Sequence, residues 1–176
     1  MLDFLKLKNA LHDADISLSY GRDALLDLAC TKVDCSMSPI VGFSGVEISL
    51  LCAEHSKILA LENKEALVCA GKLLLSICKI YNTKLIPVDS EHSAIFQCLN
   101  GESTEDVDKI ILTASGGPFR KWSLNRIKKA TLKEALAHPN WEMGARISID
   151  SASMFNKALE VIETKYLFNF PIERIK

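Results

Sequence analysis

Apolar and polar positions along the chain keep two alternating rhythms. Residues 22–31 put Leu25, Leu28 and Ala29 on one helical face. A short apolar run from Met37 to Val41 ends at Gly42, within the string SPIVGFSG. Residues 47–53 are again helical, and residues 57–61 (KILAL) predict a short buried strand. Asn63-Lys64-Glu65 opens a long helix to Tyr81, with Leu67, Ala70, Leu74, Ile77, Cys78 and Tyr81 at helical spacing. Residues 84–88 (KLIPV) predict the next strand. Strand, helix and strand in that order form a β-α-β unit, so the two strands should be parallel with a right-handed crossover. Open α/β sheets gather ligands at the carboxyl ends of their strands. Glu62-Asn63-Lys64 and Asp89-Ser90-Glu91 should therefore open on one edge.

Beyond Asp89 the character changes. A helix over 92–99 leads into a polar loop over 100–108, then a strand over 109–113 and a turn at Ser115-Gly116-Gly117-Pro118. A basic amphipathic stretch reaches His138, and residues 147–149 have the pattern of a short strand. Asp150-Ser151 is expected to cap a helix running to about Phe168, with Pro171 beyond it. A boundary near Val88 divides the chain into 1–88 and 89–176. There is no internal repeat and no low-complexity segment. A parallel sheet of this kind usually begins with a Gly-rich dinucleotide-binding turn, and SPIVGFSG lacks that spacing. The chain is thus expected to start partway into a dinucleotide-binding fold, with Met1 an internal or misassigned start.

Composition narrows the class. The 176 residues are 48% hydrophobic and 24% charged, the balance of a chain that buries a core rather than a disordered one. A formal net charge of -1 gives no basic excess for nucleic acid. No apolar run approaches the roughly 20 residues that span a bilayer, and the opening residues lack the apolar core of a signal peptide. The six cysteines form no Cys-x-x-Cys pair. They read as free thiols in a reducing cytoplasm.

Four segments carry candidate chemistry, each beside a plainer reading. Asp89 and Glu91, two apart in extended backbone, would project to one side and suit a hard cation such as Mg²⁺ or Mn²⁺. Acidic residues at strand ends are more often solvated. In DSASMFNKALEVIE, residues 150–163, Ser151 would sit at a helix N-terminus, where N–H groups attract anions. Asn156, Lys157 and Glu160 follow, with Asn156 and Glu160 on one face. The plainer reading, a capped helix with a Lys157–Glu160 surface pair, is favoured on these residues alone. Ser115-Gly116-Gly117 offers backbone N–H groups to an anion, or is only a turn. His138-Pro139-Asn140-Trp141 reads as a mobile flap over a ligand, or Trp141 anchors a loop. Lys64 meets a phosphate or is an ordinary surface lysine.

The strings LENKEALV, LIPVDSEHSAIFQCL, ILTASGGPFR and AHPNWEMGARISIDSASMFNKALEVIE resemble successive blocks of the 1-deoxy-D-xylulose 5-phosphate reductoisomerase family. Four long blocks in one order are hard to obtain by chance. The resemblance covers nearly the whole chain and is tightest over residues 59–168. It implies an α/β architecture: the C-terminal part of a Rossmann-like NADPH-binding domain over 1–88, then part of an α+β catalytic domain over 89–176. It implies a divalent metal, Mg²⁺ or Mn²⁺ with Co²⁺ also compatible, bound by Asp89, Glu91 and Glu160. It implies substrate contacts from Ser90, Glu91, Ser115, His138, Ser151, Asn156, Lys157 and Glu160, largely at a phosphate, with Lys157 and His138 part of the catalytic set. Trp141 belongs to a flap over the substrate. Asn63, Lys64 and Glu65, with Met143 and Gly144 of the flap segment, are implied to lie near the nicotinamide of NADPH. The implied reaction rearranges a ketose phosphate to an aldehyde, which NADPH reduces to 2-C-methyl-D-erythritol 4-phosphate in non-mevalonate isoprenoid synthesis. A cytoplasmic homodimer is implied, without nucleic-acid or membrane partners.

The chain departs from the family pattern at Glu62, where a small residue usually precedes N-K-E, and at Ala114 and Ala158, where glycine is usual. Ala145 stands where a basic residue usually follows M-G. None of these removes an implied metal ligand. Without the Gly-rich loop and the C-terminal helical domain, the isolated 176 residues are expected to be inactive and to bind NADPH weakly or not at all. Two other readings compete. One is a non-catalytic remnant that binds metal or phosphate only. The other is a generic NAD(P)-dependent sugar dehydrogenase, which would not supply the D-S-E and N-K-A-L-E blocks together.

Overall fold

The computed structural model describes residues 2–138 and 144–176. The chain opens with helices α1 (Leu2–Ala10) and α2 (Arg22–Ala29), followed by strand β1 (Val33–Ser38), α3 (Ser44–His55), β2 (Ser56–Leu61), α4 (Lys64–Tyr81) and β3 (Lys84–Pro87). Then come α5 (Ser90–Cys98), α6 (Leu124–Ile127), α7 (Leu132–Leu136), α8 (Ala145–Ala152), α9 (Phe155–Phe168) and a 3-10 turn at Ile172–Arg174. The three strands form one parallel sheet in the order β1-β2-β3, as the β-α-β pattern requires.

The apolar run of β2 places it at the centre of the sheet, with Leu59 fully buried. Ala53 and Cys52 of α3 and Leu67 and Leu74 of α4 close around it into the main core. Helix α4 starts where Asn63 accepts a hydrogen bond from the Ala66 N–H, and stops at Asn82 in the left-handed conformation. It kinks at Ala70, beside Gly71, where the ring of Tyr166 from α9 packs. A smaller core joins Ile110, Phe170 and Ile175 with Ile95, Val107 and Val161.

Three local expectations give way, and one strand was not expected. Strand β1 carries no apolar run; among the described residues it pairs with β2 alone and is exposed over most of its length. Residues 109–113 are not a strand. Among the described residues Ile110 bridges to Ile175, with backbone hydrogen bonds from 110 and 112 to Arg174 and Lys176. Residues 147–149 lie inside α8, where burial of Ser148 and Ala152, four apart, imposes the helical period. Finally, Asp150-Ser151 does not cap α9. The break comes later, at Met154 with φ 61°, where Ser153 Oγ donates to the Ile149 carbonyl and accepts from Phe155 N–H. Ser151 therefore sits in the last turn of α8, and a helix N-terminus is not what it offers an anion.

Candidate metal and anion site

The two strand-end segments do share an edge. Val88 N–H bonds back to the Leu61 carbonyl, which holds the exits of β2 and β3 side by side. Glu62, Lys64, Asp89, Ser90 and Glu91 line one side of a cavity of about 670 Å³. Ser115, His138, Ser151, Asn156, Lys157 and Glu160 line the rest.

Asp89 and Glu91 do not converge through extended backbone. Asp89 is the N-cap of α5, where its Oδ1 accepts from Glu91 N–H at 3.3 Å, and Glu91 occupies the first helical turn. Glu160 arrives from α9 on the other side. Ligand oxygens of Asp89, Glu91 and Glu160 all lie within 4.8 Å of one another. Glu160 is fully buried. Its Oε1 accepts from Asn156 Nδ2, which confirms the shared helical face. Its Oε2 has no aligned hydrogen-bond donor among the described residues, although Lys157 Nζ stands 2.6 Å away.

Two ammonium groups face this cluster. Lys157 Nζ donates to Glu91 Oε1 and to the Thr113 carbonyl, each at 2.7 Å. The Lys157–Glu160 pair thus exists, but in the interior and not on the surface. Lys64 Nζ reaches Asp89 Oδ2, and Glu163 Oε2 at 3.3 Å. These contacts set the charges. Burial pushes the Glu160 carboxyl up, only partly offset by Lys157. Burial also raises Glu91, but the bonds from Lys157 and Ser90 outweigh it and bring the carboxyl down to about 2. Burial opposes the Lys64 charge, yet Glu163 and Asp89 hold its ammonium up at about 12. Burial carries Glu163 to about 7, with Lys64 opposing.

The other end of the cavity gathers polar groups from the Ser-Gly-Gly turn, His138 and the end of α8. Ser115 Oγ lies 3.1 Å from His138 Nε2 and accepts from Gly117 N–H at 3.3 Å. Gly117, at φ 61°, approaches so closely that a Cβ there would lie 2.5 Å from the Ser151 carbonyl. That contact brings the Ser-Gly-Gly turn against the end of α8, beside Asn156 and Lys157.

Asn63 and Glu65 stand apart from this cavity. Asn63 is buried and donates to the carbonyls of Ile40 at 2.6 Å and Gly42 at 3.0 Å. Glu65 accepts from Gly42 N–H and from Arg146 of α8. Together they tie the loop at 39–43 to the start of α4, whereas Gly144 is the exposed N-cap of α8. Trp141 and Met143 lie outside the described residues.

Three participants were missed from sequence: Glu163, His92 and Arg146. Glu163 follows Asn156 and Glu160 at helical spacing, and that signal was available. His92 is buried and donates from Nε2 to the Glu160 carbonyl at 3.1 Å, joining α5 to α9. Nothing in the local pattern marks Arg146.

Comparison with known proteins gives the chain's relatives. A family model described as 1-deoxy-D-xylulose 5-phosphate reductoisomerase matches residues 2–71, and one for that protein's C-terminal domain matches residues 85–168. The 1-deoxy-D-xylulose 5-phosphate reductoisomerase of Ruegeria sp. (strain TM1040) is 52% identical over 171 residues, covering 97% of this chain and 43% of the relative. The protein of the same name from Macrococcus caseolyticus is 47% identical, covering 94% and 44%. The solved Zymomonas mobilis reductoisomerase in complex with NADPH superposes with a TM-score of 0.85 at 41% identity, covering 98% of this chain and 44% of that one. A DOX-P reductoisomerase structure with NADPH, fosmidomycin and magnesium gives 0.86 at 38% identity, covering 98% and 46%. The chain therefore spans under half the length of the curated relatives it matches.

Proposed function

This chain belongs to the 1-deoxy-D-xylulose 5-phosphate reductoisomerase family, and on that footing we propose that it supplies the metal- and substrate-binding centre for converting 1-deoxy-D-xylulose 5-phosphate to 2-C-methyl-D-erythritol 4-phosphate. The observation that carries the reading is the meeting of Asp89, Glu91 and a fully buried Glu160, whose ligand oxygens all lie within 4.8 Å of one another. An all-oxygen set of three carboxylates fits Mg²⁺ or Mn²⁺, and a solved relative carries magnesium and NADPH. When bound, the divalent ion supplies Lewis acidity toward the substrate oxygens, and NADPH supplies the hydride.

The chain's own residues do the rest. Ser115, His138, Ser151, Asn156 and Lys157 hold the phosphate end, so binding energy there orients the carbon skeleton at a distance. Ser90 donates to Glu91 Oε2 at 2.7 Å and keeps that carboxylate turned toward the cluster. Lys157 joins the metal site to the segment that carries Ser115, since its ammonium touches Glu91, Glu160 and the Thr113 carbonyl. Asn63, Lys64 and Glu65 serve the nicotinamide side, together with Met143 and Gly144, while Trp141 covers the substrate. The boundary at Val88 divides a cofactor-binding part, 1–88, from a catalytic part, 89–176, which also lends Met143 and Gly144 to the cofactor. A homodimer in the cytoplasm, without nucleic-acid or membrane partners, completes the reading. Among the described residues no helix is long and apolar enough to cross a membrane.

The test is a chimaera in which this chain replaces the matching segment of the Ruegeria relative, assayed by NADPH absorbance during a Mn²⁺ titration. Asp89→Asn or Glu160→Gln should lower kcat/KM by about 100-fold or more, with little change in melting temperature. Unchanged turnover at saturating Mn²⁺ would remove the metal assignment.

A further inference from the structure

Glu163 is an acidic side chain that the proposed reaction leaves without a role. It is 3% exposed and does not line the cavity. It stands one turn beyond Glu160 on α9, and its Oε2 lies 3.3 Å from Lys64 Nζ. The same Nζ contacts Asp89 Oδ2. Lys64 therefore rests between a carboxylate of the metal cluster and one outside it.

Both ammonium groups stand where a divalent ion would place its own charge. Lys157 sits on Glu91 and Glu160, and Lys64 on Asp89. A cation entering the cluster competes with each of them, because two positive charges cannot share one carboxylate cheaply at these distances. Each lysine has a second partner outside the triad: the Thr113 carbonyl for Lys157 and Glu163 for Lys64. A buried ammonium stripped of its counter-charge is strongly unfavourable, so the second partner decides whether the lysine can yield.

We propose that Glu163 is a positioning residue for the metal centre: its carboxylate takes over the Lys64 ammonium when Asp89 turns to a divalent ion. This rests on the metal reading above and extends it to a residue that touches neither ion nor substrate. Without Glu163, Lys64 keeps Asp89 as its counter-charge and competes with the ion.

The experiment is Mn²⁺ binding to the 176-residue chain, measured by calorimetry at pH 8 for wild type, Glu163→Gln, Lys64→Met and the double variant. Glu163→Gln is expected to weaken Mn²⁺ binding about tenfold. In the Lys64→Met background the same change should have no effect, since no ammonium remains to be held. Equal affinity of wild type and Glu163→Gln would overturn the proposal. Equal weakening in both backgrounds would also overturn it, because that is the signature of plain charge loss. A purely structural role would move the melting temperature and leave the Mn²⁺ affinity alone. Failure of the wild type to bind Mn²⁺ would overturn the metal assignment and this proposal with it. If Glu163→Gln does not fold, the Mg²⁺-loaded wild-type structure decides. Lys64 Nζ bonded to Glu163 and clear of Asp89 supports the handover, and Lys64 still on Asp89 rules it out.

Discussion

Helices α4 and α9 pack against each other, yet they bury opposite kinds of side chain. Helix α4 buries Ala66, Leu67, Gly71, Leu74, Ile77 and Cys78. Helix α9 buries Glu160, Glu163 and Thr164. The first arrangement contributes hydrophobic stability in proportion to area removed from water. The second opposes stability, because carboxylates leave water for partners that only partly replace it. Helix α4 thus holds the fold, and α9 uses that rigidity to keep charges close together. Their contact is also the join between the parallel sheet and the polar site.

The comparison breaks most visibly at Leu74, which is fully buried against the sheet. Leu74→Ala should destabilise the chain by about 2–5 kcal/mol in urea unfolding, while Mn²⁺ affinity of the folded protein stays unchanged. A fall in affinity matching the fall in stability would show that the two helices are not separable in role. The interface itself comes next. A Cβ on Gly71 would lie 2.8 Å from the Tyr166 ring. Gly71→Ala should cost about 1–3 kcal/mol through overpacking, and Tyr166→Leu in the same chain should recover part of it.

An effect of similar size is a pH dependence to which Glu163 of α9 contributes. Glu163 titrates at about 7 in the folded chain, raised from 4.5. Between those two values the unfolded chain has released a proton that the folded chain keeps. Metal-free stability should therefore fall as pH rises from 4.5 to 7, by on the order of 1–3 kcal/mol. Glu163→Gln should flatten that slope, and urea titrations at several pH values would measure it. A slope that persists in the variant would assign it to another group.

Sequence patterns served the apolar region better than the charged one. The rhythm of residues 57–88 specifies β2, α4 and β3 because Leu59, Leu61, Leu67, Leu74, Ile77 and Cys78 recur at strand and helix spacing and are all buried in one core. Strand β1 has no legible signature because Val33–Ser38 carries only Val33, Cys35 and Met37 as apolar residues, all exposed in the described chain. The α8–α9 break escaped notice because Met154 in a left-handed conformation is not a residue that announces a turn. Asp89, Glu91 and Glu160 were legible as a set only through the family resemblance, since local spacing favoured a solvated pair and a surface salt bridge. Their convergence depends on α9 crossing to α5, held by His92 and the Glu160 carbonyl, and no local window contains that contact.

Anomalous scattering from crystals of this chain soaked in Mn²⁺ tests the central claim most directly. The expected result is one peak within about 2.5 Å of carboxylate oxygens from Asp89, Glu91 and Glu160 together. A peak bound elsewhere, or one that Glu160 does not touch, would contradict it.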